Sequence, residues 1–226
     1  MLHTETVKRE TLELLKRLAH DPELSEFNLA GGTALALYLG HRVSIDLDLF
    51  TPQPFDARAL EEYLIRHYDF RGDFLEKNTL KGNIQDVKID CITHNYPYIN
   101  APFISSSGIR LYSMEDIAAM KLSAIADNGT RLKDFIDIAC LSVKLPLQVM
   151  LDAYQTKYQN SNSLRALKGL NFWEDILFNE PIQMIGGIYK WDKIEKRLYA
   201  MMKNTEKIFP DFPLAQEKRK QLKPKM

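Results

Sequence analysis

The sequence predicts an α/β (α+β) protein, a mixed sheet flanked by helices over residues 1–112 followed by an α-helical part over residues 113–226. Three observations predict it. Runs that alternate apolar and polar residues, the mark of half-buried strands, fall before Tyr112. Helix-length segments with capping residues separate the first of these runs. After Ser113 the pattern changes to helical spacing, punctuated by Asp127-Asn128-Gly129, Pro146 and Gly186-Gly187.

The elements follow in order. Leu12, Leu15 and Leu18, with charges between them, predict an amphipathic helix over 2–19. A short strand over 26–30 runs into Gly31-Gly32. Thr33 is expected to cap a helix carrying Leu35, Leu37 and Leu39, which stops at Gly40. Residues 43–50 form a strand ended by Pro52 and Pro54, and Asp56 caps a helix over 57–67. Strands over 70–80 and 83–93 flank Lys81-Gly82 as a hairpin turn. A loop over 94–108 leads to a short strand at 108–112. Ser113 caps a helix to Ala126 whose first turn holds Glu115 and Asp116, where negative charge suits the helix dipole. Helices over 130–143 and 146–158 follow. The remainder reads as helical, ending in an amphipathic segment over 191–207 and a Lys-rich polar tail over 216–226, expected as a frayed terminus.

Composition narrows the function classes. Lys plus Arg and Asp plus Glu both total 30, so the net charge is zero, unlike a protein that coats nucleic acid. An enzyme that grips one RNA end locally remains open. Cys91 and Cys140 each lie in apolar sequence and read as small core residues, not a disulfide or zinc site. The N-terminal stretch has no apolar signal core and no window suits a membrane span, so a cytoplasmic protein without membrane partners is expected.

The chemistry concentrates in residues 28–50, NLAGGTALALYLGHRVSIDLDLF. Asp46 and Asp48 alternate with Ile45, Leu47 and Leu49. On a strand this buries the aliphatic residues and puts both carboxylates on one face. Two such charges need a cation, and Mg²⁺ takes carboxylate oxygens together with substrate phosphates. Gly31, Gly32 and Thr33 can bring backbone N–H groups close to a phosphate. In the later run VKIDCI, Asp90 lies on the polar face opposite Val87, Ile89 and Cys91. A phosphate cradle with three strand acids is what two-metal nucleotidyl transfer requires. Asp46 and Asp48 would hold the metals and triphosphate. Asp90 would join the metal at the acceptor hydroxyl and take its proton. Strands with solvent-facing acids are the plain alternative for any one Asp-x-Asp.

This set resembles the nucleotidyltransferase superfamily that shares its fold with polymerase beta. More narrowly, GGTALAL, HRVSIDLDLF and VKIDCI resemble the AbiEii-type abortive-infection toxins. The segment EDIAAMKLSAIADNGTRLKDFIDIACL adds Lys121, Arg131, Lys133, Asp134 and Asp137, similar to that family's helical motif. The likeness covers residues 25–145. Thr33 departs from the serine common in the superfamily, while keeping a hydroxyl and a backbone N–H.

The resemblance implies a nucleotidyltransferase-type fold and an enzyme that moves an NMP from an NTP to an acceptor hydroxyl with two Mg²⁺ ions. It implies an RNA acceptor, a tRNA 3′ end among the candidates, and a toxin in a toxin–antitoxin or phage-defence pair with a cognate antitoxin. Lys121 would meet the triphosphate, Arg42 a phosphate, and Ser44 a metal ligand or phosphate oxygen. Each has a structural alternative. Arg42 can pair with an acid and Ser44 can be a strand-edge residue. Lys121 on an otherwise apolar face needs an anionic partner, which Asp134 or Asp137 also offers. Lys133 and Asp137 are spaced for an i,i+4 pair. His41 reads as structural. Tyr96, Tyr98, Phe103 and Tyr112 can stack a base or pack a core. Two other activities share parts of the pattern: an Asp-x-Asp glycosyltransferase using a nucleotide sugar, and a non-catalytic binding protein retaining the fold.

Overall fold

The computed structural model describes residues 1–216, so all of the expected tail beyond Gln216 lies outside the described residues. Helix α1 (Arg9–His20) buries Leu14, Leu15 and Leu18. It starts later than its apolar spacing suggests, because residues 4–6 form a separate 3₁₀ turn that the Thr6 hydroxyl closes onto the His3 carbonyl (2.7 Å). Strand β1 (Asn28–Leu29) leads directly into α2 (Gly31–Leu39), which ends at Gly40 with φ 71°. The first turn of α2 already contains the glycines, so Thr33 sits inside the helix instead of capping it.

Strand β2 (Leu47–Thr51) is shorter than expected. Its ladder with β5 begins at Leu47, and residues 43–46 run outside the sheet. There Val43 N–H donates to the Gln183 carbonyl (2.9 Å) and Ser44 N–H to that of Thr6 (2.9 Å). Ile45, expected in the apolar frame, is therefore exposed. Asp56 caps α3 (Ala57–Tyr68), accepting from Arg58 and Ala59 N–H.

The next region holds three strands, β3 (Arg71–Glu76), β4 (Thr79–Ile84) and β5 (Val87–Thr93). Lys81-Gly82, expected as a turn, lies within β4. The turns fall at Lys77-Asn78 and at Gln85-Asp86, where Gln85 and Asp86 have φ 51° and 64°, both in the left-handed region that tight hairpins use. Gly82 serves packing instead: a Cβ there would collide with the Arg71 carbonyl and the Phe70 ring.

Strand β7 (Arg110–Leu111) and the edge strand β6 (Phe103–Ile104) complete, among the described residues, a seven-stranded sheet in the order β3-β4-β5-β2-β1-β7-β6. The β2–β5 and β1–β7 pairs are parallel and the others antiparallel. The parallel β2–β5 pairing sets Asp48 opposite Asp90.

The helical part comprises α4 (Met114–Asp127, capped by the Ser113 hydroxyl), α5 (Leu132–Leu141), α6 (Leu147–Lys157), α7 (Ser163–Leu170) and α8 (Trp191–Lys203). Residues 171–190, expected as helix, are irregular. They cross back to the first part through Ile185 N–H to the His41 carbonyl (2.9 Å) and an isolated bridge between Arg42 and Met184. One apolar core runs through both parts, from Leu29, Leu35 and Leu47 to Leu122, Phe135 and Ile138. Among the described residues, no helix is long and apolar enough to cross a membrane.

Candidate active site

The site forms where α2 begins against the start of β2. Gly31 takes φ 66°, and a Cβ on it would overlap the Asp48 carboxylate; one on Gly32 would overlap the Arg42 guanidinium. Only glycine lets the backbone pass this close to both groups. The first N–H groups of α2 thus open beside the acids, as a helix N-terminus must to receive a phosphate. The Thr33 hydroxyl pairs with Ser44 Oγ (2.9 Å) and donates to the Asp46 carbonyl. Thr33 and Ser44 thereby tie the glycine turn to the segment that presents Asp46.

The three acids occupy different surroundings. Asp46 is exposed, Asp48 is half-buried and Asp90 is buried. Asp90 Oδ2 meets Lys81 Nζ at 3.0 Å and Lys88 Nζ at 3.6 Å, while its buried Oδ1 has no hydrogen-bond partner among the described residues. Burial, then the charge of Asp90 and, more weakly, that of Asp46 push the Asp48 carboxyl up to about 6, against the opposing pull of Lys121 and Arg131. An orphaned carboxylate oxygen and a carboxyl that resists ionisation mark a place short of positive charge.

A divalent cation fits that deficit. Among the described residues no three His, Cys, Asp or Glu side chains form a ready-made metal cage. Mg²⁺ does not require one, since it is commonly held by one or two carboxylates with substrate phosphates and water.

The cations that the helical part brings to the site are held to different degrees. Lys121 Nζ is buried and lies 2.9 Å from Asp134 Oδ1 and 2.6 Å from Asp137 Oδ2. Burial alone would lower its pKa, but the two carboxylates more than offset that and raise it. Asp137 also receives Arg42 Nε and Nη2 at 2.7 and 2.8 Å and His41 Nε2 at 2.8 Å. Of the alternatives for Arg42, pairing with an acid is therefore what the geometry displays. Lys133 turns away from Asp137 and meets Glu180 at 2.7 Å, so the expected i,i+4 pair is absent. Asp137 faces the core, whereas Lys133 faces the rim.

Arg131 differs from Lys121 and Lys133. It precedes α5 with its side chain 69% exposed and only a 3.6 Å contact to Asp134. It lines both cavities that meet at Asp48. One, of about 430 Å³, includes Thr33, Ser44, Asp46 and Lys133. The other, of about 400 Å³, includes Lys121 and an aromatic wall of Phe50, His94, Tyr96 and Tyr158.

Of the four aromatics singled out in the sequence, only Tyr96 reaches this site. Tyr112 is buried, Tyr98 bonds Asn28 (2.8 Å), and Phe103 lies on an edge strand. Sequence reasoning missed Phe50, His94 and Tyr158. Phe50 carried a local signal, lying two residues after Asp48 on the same strand, but Tyr158 comes from the end of α6 and carried none. It also missed Asp116–Lys157, a fully buried ion pair at 2.7 Å.

The family model described as "Nucleotidyl transferase AbiEii toxin, Type IV TA system" matches residues 13–206 of this chain. A protein of Aquifex aeolicus (strain VF5), "Uncharacterized protein aq_aa25", is 32% identical over 174 residues, covering 75% of this chain and 84% of its own length. Among solved structures, the antibiotic-resistance factor ANT(2″)-Ia aligns over 75% of this chain and 90% of its own, at 15% identity and a TM-score of 0.41.

Proposed function

This chain belongs to the AbiEii nucleotidyltransferase toxin family of type IV toxin–antitoxin systems, and from that premise we propose that it is a Mg²⁺-dependent enzyme that transfers an NMP from an NTP to an RNA hydroxyl. A tRNA 3′ end is the acceptor we favour, and an antitoxin encoded with the chain is the partner the family implies. The observation that carries the reading is the facing pair Asp48 and Asp90 beside the glycine turn, with Asp90 Oδ1 unpartnered among the described residues.

Asp46 and Asp48 would hold the divalent cations, with Asp90 joining them on the acceptor side. When bound, the cations supply charge to the triphosphate and lower the pKa of the acceptor hydroxyl. The chain's own residues do the remainder. N–H groups of Gly31, Gly32 and Thr33 receive the phosphates, and Arg131 adds a cation with a loosely held side chain. Lys121 lines the same cavity and balances its carboxylates. Asp90 accepts the hydroxyl proton at Oδ1 as the oxygen attacks the α-phosphorus. The bond to the β-phosphate breaks, and pyrophosphate leaves with its electron pair. In this division residues 1–112 supply the acids and the phosphate turn, and residues 113–226 supply Lys121, Arg131 and one wall of the aromatic cavity.

The test is to incubate the protein with each α-labelled NTP and total RNA, with Mg²⁺ or with EDTA. Mg²⁺-dependent label in one RNA class, lost in Asp46→Ala, is the expected result. Labelling absent with all four NTPs would sink the reading. Hydrolysis of a nucleotide sugar in its place would point to glycosyl transfer.

A further inference from the structure

The two cavities at Asp48 differ in chemistry. The one beside Thr33 and Asp46 has Arg131 and Lys133 on its wall and no aromatic side chain. The other opens onto a cluster of rings: His94 and Tyr96 with centroids 4.8 Å apart, Tyr96 and Tyr158 at 4.7 Å, Phe50 and His94 at 5.9 Å. Tyr96 remains 44% exposed at the mouth, although large aromatic side chains usually find cover. It also borders an adjoining polar cavity of about 400 Å³ lined by Asn95, Ser123 and Gln159.

This wall is anchored. Lys157 Nζ donates to the Pro97 carbonyl (2.8 Å) and to Asp116 Oδ1 (2.7 Å), and Asp116 accepts from Ile99 N–H (3.1 Å). The backbone just after Tyr96 is thereby fixed to α4 and α6. The ring of His94 is uncharged at neutral pH, since burial and the nearby Lys157 ammonium hold its pKa down to about 4. An uncharged, fixed aromatic face beside a carboxylate site suits a flat, neutral ring attached to a phosphate.

We propose that Tyr96, backed by His94 and Tyr158, is a stacking platform for a nucleobase next to Asp48. The proposal deepens the nucleotidyl-transfer reading and rests on it for the identity of the ligand. The base comes either from the NTP or from the terminal nucleotide of the acceptor; the chemistry of stacking is the same for both. Faces of bases stack on aromatic side chains with little regard to sequence.

The test compares the wild type with Tyr96→Phe, which keeps the ring, and Tyr96→Leu, which keeps bulk without it. Calorimetry measures binding of non-hydrolysable α,β-methylene NTPs and of inorganic tripolyphosphate, and labelling measures KM for RNA. Tyr96→Leu is expected to weaken NTP binding about tenfold or more, as loss of one stacked base does. Tyr96→Phe should stay within about twofold, and tripolyphosphate should bind all three proteins alike. Unchanged NTP binding with an RNA KM raised to the same degree also supports the platform and assigns it to the acceptor.

Equal loss of tripolyphosphate binding, or no change in either NTP affinity or RNA KM, overturns it. Failure of the two readings is distinguishable. Tyr96-dependent NTP binding without any transfer keeps the platform and retires the transferase, whereas transfer indifferent to Tyr96→Leu does the reverse. A wild type that neither binds NTP nor labels RNA retires both.

Discussion

Asp137 and Arg42 meet through two parallel hydrogen bonds, Nε to Oδ1 at 2.7 Å and Nη2 to Oδ2 at 2.8 Å, with both side chains buried. The contact joins α5 to the segment that enters β2. It also sets the guanidinium under Gly32, where no Cβ would fit. With Lys121 and His41 on the same carboxylate, Asp137 is the common partner of one cluster of buried charge.

Removing Asp137 should therefore cost more than an ordinary core change. Asp137→Ala leaves Arg42 and Lys121 short of a buried partner, a loss of about 3–5 kcal/mol for pairs of this kind. Urea unfolding checks it, and activity should fall with stability because the Gly32 turn loses its support. The pH dependence has a definite sign. Burial pushes Asp137 up, but Arg42 and Lys121 hold it well below the ordinary 3.8. Its contribution to stability is thus full above that value and lost as pH falls through the lower folded value. Asp137→Asn should lack this acid-side drop.

Asp48 behaves oppositely. Its folded pKa of about 6 lies above the ordinary 3.8, so the stability tied to its protonated form is present below 3.8 and lost as pH rises through 6. Without divalent cation, Asp48→Asn should melt higher than wild type at pH 7.5, by on the order of 1–2 kcal/mol, and equal it near pH 3.5. The same variant should gain nothing from Mg²⁺ with NTP, which should stabilise the wild type, and it should not label RNA. Asp90→Asn should fold normally and lower turnover by about 10²–10⁴, the range for losing a general base.

Glycine substitutions separate strain from collision. Gly186 has φ 79° with nothing among the described residues within 4 Å of the place a Cβ would take, so Gly186→Ala should cost about 1–2 kcal/mol and leave transfer intact. Gly31→Ala adds a Cβ that overlaps the Asp48 carboxylate at φ 66°, and should abolish transfer as well as lower the melting temperature. Calorimetry and labelling on the two variants decide it.

Arg131 and Arg42 should part in the same way. Arg131 is exposed and loosely paired, so Arg131→Ala should keep the melting temperature and raise the KM for NTP by about tenfold, as loss of a charge-assisted phosphate contact does. Arg42→Ala should unfold the protein at markedly lower urea, because it strips Asp137 of two buried bonds. A stable, inactive Arg42→Ala would instead place Arg42 on the substrate.

Much of the fold is legible locally. The αL stop at Gly40 and the caps at Asp56 and Ser113 depend on residues a few positions apart, and each stands where its side-chain chemistry puts it. The hairpin turn is not, because Gly82 resembles a turn residue while its function is to let Phe70 and the Arg71 carbonyl approach. The start of the strand ahead of Asp46 is not legible either, because alternation continues through Val43 and Ile45. Pairing with β5 begins only at Leu47, because the segment ahead of it gives its Val43 and Ser44 N–H groups to the Gln183 and Thr6 carbonyls instead.

By itself the sequence determined the parts: a glycine turn opening a helix, carboxylates at strand spacing, helices with caps and a Lys among acids. Period and capping are short-range geometry, and any chain with these residues would favour them. Only the tertiary structure decided which charges remain free. It brought Asp90 opposite Asp48 through a parallel pairing, closed Arg42 and Lys121 onto Asp137, left Arg131 open and gathered Phe50, His94, Tyr96 and Tyr158 onto one wall. A buried charge takes the nearest opposite charge, and nearness between residues so distant in sequence is a property of the packed chain.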